Sequence, residues 1–152
     1  MSGGYGGTAP PDPGMRIGVV HSRFNEEICE LLLASARAEI ERIGAESEFV
    51  SVSGALEIPL ALQWLAQCGR FDALVAIGAV IRGETHHFDV VANESARGVM
   101  DVALEFGIPV ANGILTTDDE AQARARRDKG AEAVRTAHQM ARLKRQLAER
   151  WR

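Results

Sequence analysis

The run DALVAIGAVI at residues 72–81 carries no polar side chain after its opening aspartate. It falls far short of the ~20 apolar residues that a membrane-spanning helix needs. It also shows neither the alternation of a half-exposed strand nor the stripe of a surface helix, so both of its faces have to be covered. A central strand of a parallel sheet meets that condition, because its crossover connections lay helices over both faces.

The flanking segments supply those layers. MRIGVVHS (15–22) reads as a buried strand ending near Ser22. Asn25 is placed to cap a helix in which Ile28, Leu31, Leu32, Ala36, Ile40 and Ile43 recur at helical spacing up to Gly44. SEFVSVS (47–53) alternates like a strand, and Pro59 suits the first turn of a helix running to about Cys68. After the apolar run a long helix extends to Phe106 and stops at Gly107; IPVANGILT (108–116) is a fourth strand, and the remainder to Ala148 reads as one short and one long helix. Strand and helix alternating four times predict an α/β fold, a four-stranded parallel sheet with right-handed crossovers. At this length one domain is expected, over 15–152. Residues 1–14, with five glycines and three prolines, read as a flexible arm.

Charge and cysteine usage exclude several classes. With 17 Lys+Arg against 21 Asp+Glu the net charge is −4, so no general affinity for nucleic acid is implied. The basic residues that thicken from Arg124 onward read first as a solvated helix face. Cys29 and Cys68 stand far apart with no CxxC spacing, which argues against a disulfide framework and against a zinc site, and fits reduced thiols in a cytoplasmic protein. The N-terminus has no basic start followed by an apolar run, so no secretory signal is expected, and no stretch approaches a membrane span.

In open parallel sheets ligands sit beyond the carboxyl ends of the strands. That rule selects four polar or glycine-containing junctions: Ser22 to Asn25, Ser53 to Glu57, Arg82 to His87, and Asn112 to Asp119. In the third, a turn of ~100° per residue puts His86 near the centre of the polar stripe of the following helix and His87 on its flank. His87 is therefore the better candidate for proton transfer, against the plain alternative of a solvated helix-start histidine. Gly83-Glu84-Thr85 precedes a helix N-terminus, where free N–H groups attract an anion; it reads equally well as a turn capped by Thr85. Glu57 can accept bonds from sugar-like hydroxyls or simply favour a first helical turn. Phe24 can stack on a planar ligand or staple the helix behind it. Arg126 and Arg127 can clamp a phosphate or lie in solvent.

Taken in order, SRFNE (22–26), GALEIP (54–59), GAVIRGETHHFD (78–89), NES (93–95), NGILTT (112–117) and DKG (128–130) resemble the lumazine synthase family, across roughly residues 15–148. The resemblance implies a flavodoxin-like three-layer sandwich, in which the four-stranded parallel sheet is flanked by helices. It implies a cytoplasmic transferase of riboflavin biosynthesis that uses neither metal nor organic cofactor. The family condenses 5-amino-6-(D-ribitylamino)uracil with 3,4-dihydroxy-2-butanone 4-phosphate to 6,7-dimethyl-8-ribityllumazine, through an imine, loss of phosphate and ring closure.

Carried onto this chain, the resemblance makes His87 the general acid/base and Phe24 the stacking residue. Ala55, Leu56 and Glu57, with Ala79, Val80 and Ile81, would hold the ring and the ribityl chain, largely through backbone groups. Glu84 and Thr85 would meet the phosphate through main-chain amides and Arg126 through its guanidinium, with Arg127 the alternative one position on. Asn112 and Lys129 are further expected substrate contacts. Asn112 stands where many members carry an aromatic residue, and Arg124 to Lys129 form a shorter linker than in many relatives. The expected assembly is accordingly a homopentamer, single or paired face to face, and not a sixty-subunit shell. Its sites would lie between adjacent copies, with His87 and the phosphate cradle from one and Phe24, Glu57 and Ala79 to Ile81 from the other. Besides small-molecule substrates, riboflavin synthase is the protein partner to be expected, with no role for nucleic acid or membrane. A homologue that binds a flavin or lumazine with little turnover is the competing reading. A receiver or electron-transfer domain would want acidic residues or a phosphate loop where Ser22-Arg23-Phe24-Asn25 stands.

Overall fold

A computed structural model describes Gly6 and residues 10–151. The strands are β1 (Arg16–Ser22), β2 (Glu46–Val52), β3 (Ala73–Ile81) and β4 (Val110–Thr117). The helices are α1 (Glu26–Ile43), α2 (Ile58–Cys68), α3 (His87–Phe106), α4 (Glu120–Ala125) and α5 (Lys129–Arg150), with a 3-10 turn over Ala55–Glu57 leading into α2. All pairings are parallel and the strand order is β2-β1-β3-β4, the first four positions of the flavodoxin-like arrangement. The topological switch point falls between β1 and β3.

The apolar run behaves as its composition requires: Ala73 through Val80 are all buried. Its alternate side chains feed two cores. Ala73, Val75, Ile77 and Ala79 join Leu32, Ile40, Val134 and Ala137 beneath α1 and α5. Leu74, Ala76 and Val80 join Ile58, Leu62, Val91 and Val99 beneath α2 and α3. The two helical layers differ in how closely they approach. A side chain at Gly130 would run into the backbone carbonyl of Leu32, so the start of α5 lies directly on α1. A Cβ at Gly98 would come within 2.6 Å of Pro59, so α3 seats against the first turn of α2.

Several element ends differ from the periodicity reading. β4 starts at Val110 because Pro109 has no N–H to give the ladder; its carbonyl still accepts from Leu74 N at 2.8 Å. Asn25 does not cap α1 with its side chain. It adopts a left-handed conformation, φ 57°, and its amide Nδ2 donates instead to the Ala79 carbonyl at 2.9 Å. Of the expected arm, residues 1–5 and 7–9 lie outside the described residues. Asp12 N donates to Ile43 O and its carboxylate pairs with Arg145, so packing reaches back to Asp12, three residues before the expected start at Met15. Among the described residues no helix is long and apolar enough to cross a membrane.

Candidate active site

The carboxyl ends of β1 and β3 converge with the 3-10 turn and the start of α3 around a cavity of about 430 Å³. Its walls are Phe24, Gly54 to Glu57, Ala79 to Ile81, Gly83, Thr85, His87, Phe88 and Val91. The loop after β1 is tied to the end of β2 by two backbone bonds, Arg23 N to Val52 O at 2.8 Å and Phe24 N to Ser53 O at 3.1 Å. With its backbone so held and no core to enter, Phe24 stands 70% exposed. Below it the buried Cys29 thiol donates to the Phe24 carbonyl at 3.4 Å, and burial pushes that thiol's pKa up.

At the next junction, Glu57 Oε1 accepts from the Ser53 hydroxyl at 2.9 Å, which fixes the carboxylate at the cavity edge. The junction after β3 is exposed from Arg82 to His87. Thr85 Oγ1 accepts from His87 N at 3.3 Å, and Arg82 organises the turn from outside. Its guanidinium pairs with Asp118 at 3.0 Å and Asp89 at 3.8 Å and lies 4.3 Å from the centre of the Phe88 ring. His86 points away to Asp89, 3.7 Å from its Nδ1. Glu84 does not line the cavity, although its neighbours Gly83 and Thr85 do.

One chain thus brings His87 and Thr85 to the same cavity as Phe24, Glu57 and Ala79 to Ile81. The expected partition, with these two sets on different copies, is corrected: the strand ends and the start of α3 are neighbours at one end of a single sheet. Asn112, Arg126 and Lys129 are the residues set apart. They line a second, more polar cavity of about 710 Å³ with Ile114, Thr116, Asp128 and Glu132, alongside β4, the edge strand of the sheet among the described residues. There Asn112 Oδ1 accepts from Ile114 N at 2.9 Å. The two arginines expected at phosphate separate as well. Arg126 lines this cavity and Arg127 does not; the Arg127 carbonyl accepts from Ser35 at 2.8 Å, and Arg124 is taken by Glu27 and Glu120.

Sequence reasoning passed over Phe88 and Val91, which add apolar wall, and the roles of Ser53 and Arg82 in holding Glu57 and the turn. Phe88 and Val91 both carried a signal, since they recur at helical spacing at the start of α3, on the face opposite Asp89 and Asn93. The contacts of Ser53 and Arg82 depend on which loops meet, which local pattern does not encode. Among the described residues no group of three or more His, Cys, Asp or Glu side chains is arranged to hold a metal ion.

Comparison with known proteins agrees with this geometry. The sequence model of the family described as 6,7-dimethyl-8-ribityllumazine synthase matches residues 14–145. A protein of that name from Ralstonia nicotianae is 54% identical over 147 residues, covering 94% of this chain and 90% of its own. Those from Paraburkholderia phymatum and Nitrosomonas europaea are 58% and 59% identical over 134 residues, covering 86% of this chain and 78% and 82% of theirs. A match that spans all four strand-end junctions, in relatives sharing more than half of the aligned residues, makes this chain a member of the 6,7-dimethyl-8-ribityllumazine synthase family.

Proposed function

We propose that the protein is the transferase that condenses 5-amino-6-(D-ribitylamino)uracil with 3,4-dihydroxy-2-butanone 4-phosphate, releasing phosphate and water and giving 6,7-dimethyl-8-ribityllumazine. One observation carries the reading. Segments far apart in sequence, at 24, 55–57, 79–81, and at 85 and 87, line a single cavity that pairs an apolar slot with an imidazole and a helix start. The slot suits a planar pyrimidine between the Phe24 ring and the aliphatic wall of Ala79 to Ile81. Glu57, held by Ser53, meets the ribityl hydroxyls. The N-terminus of α3, with the amides around Thr85, receives the phosphate end of the second substrate.

His87 stands where both substrates meet. The pyrimidine amine attacks the butanone carbonyl, the carbinolamine loses water to an imine, and phosphate departs to leave an enol that tautomerises to a ketone. The ribitylamino nitrogen attacks that ketone, and a second water is lost as the ring closes. Each step moves a proton, and an imidazole both accepts and donates one near neutral pH. Much of the acceleration comes from holding the two substrates together.

Asn112, Arg126 and Lys129 complete the site from an adjacent copy in a ring. An isologous pair would bury a patch against itself, whereas a head-to-tail contact brings one copy's second cavity to the next copy's first and closes as a ring. The packed helices α2 and α3 support such assembly, since they expose Leu60, Trp64, Met100 and Leu104. The decisive experiment is incubation with both substrates while lumazine absorbance and fluorescence are followed. Steady product formation is the expected result. Tight lumazine binding without turnover would favour the low-turnover homologue instead.

A further inference from the structure

We infer that Asn25 is a positioning residue for the pyrimidine half of this site, a role that rests on the function proposed above. Asn25 is the one non-glycine residue with positive φ among those described. Asparagine is among the few side-bearing residues that tolerate this conformation. It stands at the head of α1, where a side-chain oxygen ordinarily accepts from the first turn, yet it makes no such bond. Its carbonyl receives the helix bond from Cys29 N at 3.1 Å, while its amide crosses to β3 and donates to Ala79 O at 2.9 Å. The bond ends at the cavity: its acceptor Ala79 is a wall residue, and Phe24, the residue just before the donor, is the aromatic wall opposite.

The loop is thus fastened on both sides. Backbone bonds from Arg23 and Phe24 hold it to the end of β2, and the Asn25 amide holds it to β3 across the switch point. The Asn25 amide helps to set the width of the slot between the Phe24 ring and the Ala79 backbone. A capping serine or aspartate would bind the helix and leave the slot without its tie.

Three variants separate the tie from the backbone conformation. Asn25→Gly keeps the left-handed turn at little cost and removes the amide. Asn25→Asp keeps size and turn and replaces the donor by a carboxylate facing a carbonyl. Asn25→Ala loses the amide and strains the turn. For Asn25→Gly the Michaelis constant for the pyrimidine substrate, and the dissociation constant for 6,7-dimethyl-8-ribityllumazine read by fluorescence, should each rise about tenfold, the scale of one hydrogen bond. The constant for the phosphate substrate and the saturated rate should hold within about twofold. Asn25→Asp should weaken pyrimidine binding at least as much. Pyrimidine binding unchanged in both variants, with the wild type active, overturns the positioning role alone. A parallel rise in both Michaelis constants with a lowered Tm reduces Asn25 to a folding residue and overturns it too. A wild type that neither turns over nor binds the lumazine overturns the proposed function, and this role with it.

Discussion

The two cavities are opposite in build. The first lies at the switch point of the sheet, at the carboxyl ends of β1 and β3, and its wall is mainly backbone and aliphatic side chain. The second lies beside the outermost strand, is wider and more polar, and presents Arg126 and Lys129 together with Asp128 and Glu132. A shaped apolar slot gives orientation, whereas a polar rim on a sheet edge gives charge to whatever is brought against it. The first is enclosed within one chain. The second has cations but no enclosure, and in the proposed ring an adjacent copy covers it.

That contrast is tested most strongly in the first cavity. His87→Ala should lower turnover by up to ~10²-fold, toward the modest end of the general acid–base range, because imine chemistry proceeds uncatalysed and positioning contributes separately. His86→Ala should leave it near wild type, since His86 faces Asp89 and not the cavity. Equal losses from the two substitutions would remove the distinction between the histidines. Phe24→Ala comes next, raising the pyrimidine Michaelis constant by roughly tenfold, as expected for one stacking contact.

The second cavity should respond differently. Arg126→Ala is expected to raise the Michaelis constant for the phosphate substrate by about tenfold or more, the worth of a charge-assisted hydrogen bond, with pyrimidine affinity nearly intact. If Arg127→Ala shows that phenotype and Arg126→Ala does not, the cation reaches the site from one position further along.

Much of this was legible in the chain. The strand–helix alternation is visible because each element keeps its own period, and β3 is unmistakable because it is buried on both faces. The junction rule then picked out Phe24, Gly54 to Glu57, Gly83, Thr85 and His87 of the first cavity, since a parallel sheet brings all its carboxyl ends to one side. What failed had tertiary causes. Asn25 looked like a cap because local pattern cannot see the Ala79 carbonyl that competes for its amide. The partition of residues between copies was misassigned because sequence motifs state which residues serve a site, not which chain delivers them.

The end of the sheet remote from the site offers a smaller effect as a control. His138 is 1% exposed, with Asp12 Oδ2 3.8 Å from its Nε2. Burial holds its pKa below the ordinary 6.5, and the neighbouring Arg142 and Arg42 push the same way, against Asp12. A histidine depressed in the fold contributes stability that is whole above its unfolded pKa and is lost as pH falls below 6.5. Tm should therefore decline on mild acidification. His138→Gln should flatten that decline without changing the pH profile of turnover, and an unchanged decline would exclude His138 as its source. His21, also depressed by burial, shifts stability in the same sense.

In the proposed ring the two cavities meet between copies, and sedimentation at near-physiological salt should give a pentamer or a pair of pentamers. A particle of megadalton size would show that the short segment from Arg124 to Lys129 does not limit assembly. Charge placed on the exposed apolar face, as in Trp64→Asp with Leu104→Asp, should dissociate the ring and abolish turnover together.

The most direct test of a site shared between copies is complementation. Co-expressed His87→Ala and Arg126→Ala chains, carrying different tags and purified through both, form mixed rings in which some interfaces join an intact first cavity to an intact second one. Such rings should turn over faster, at sub-saturating phosphate substrate, than the summed rates of the two separately purified variants at matched concentration. A rate no greater than that sum would mean that both cavities act within one chain, and the division between them would fall.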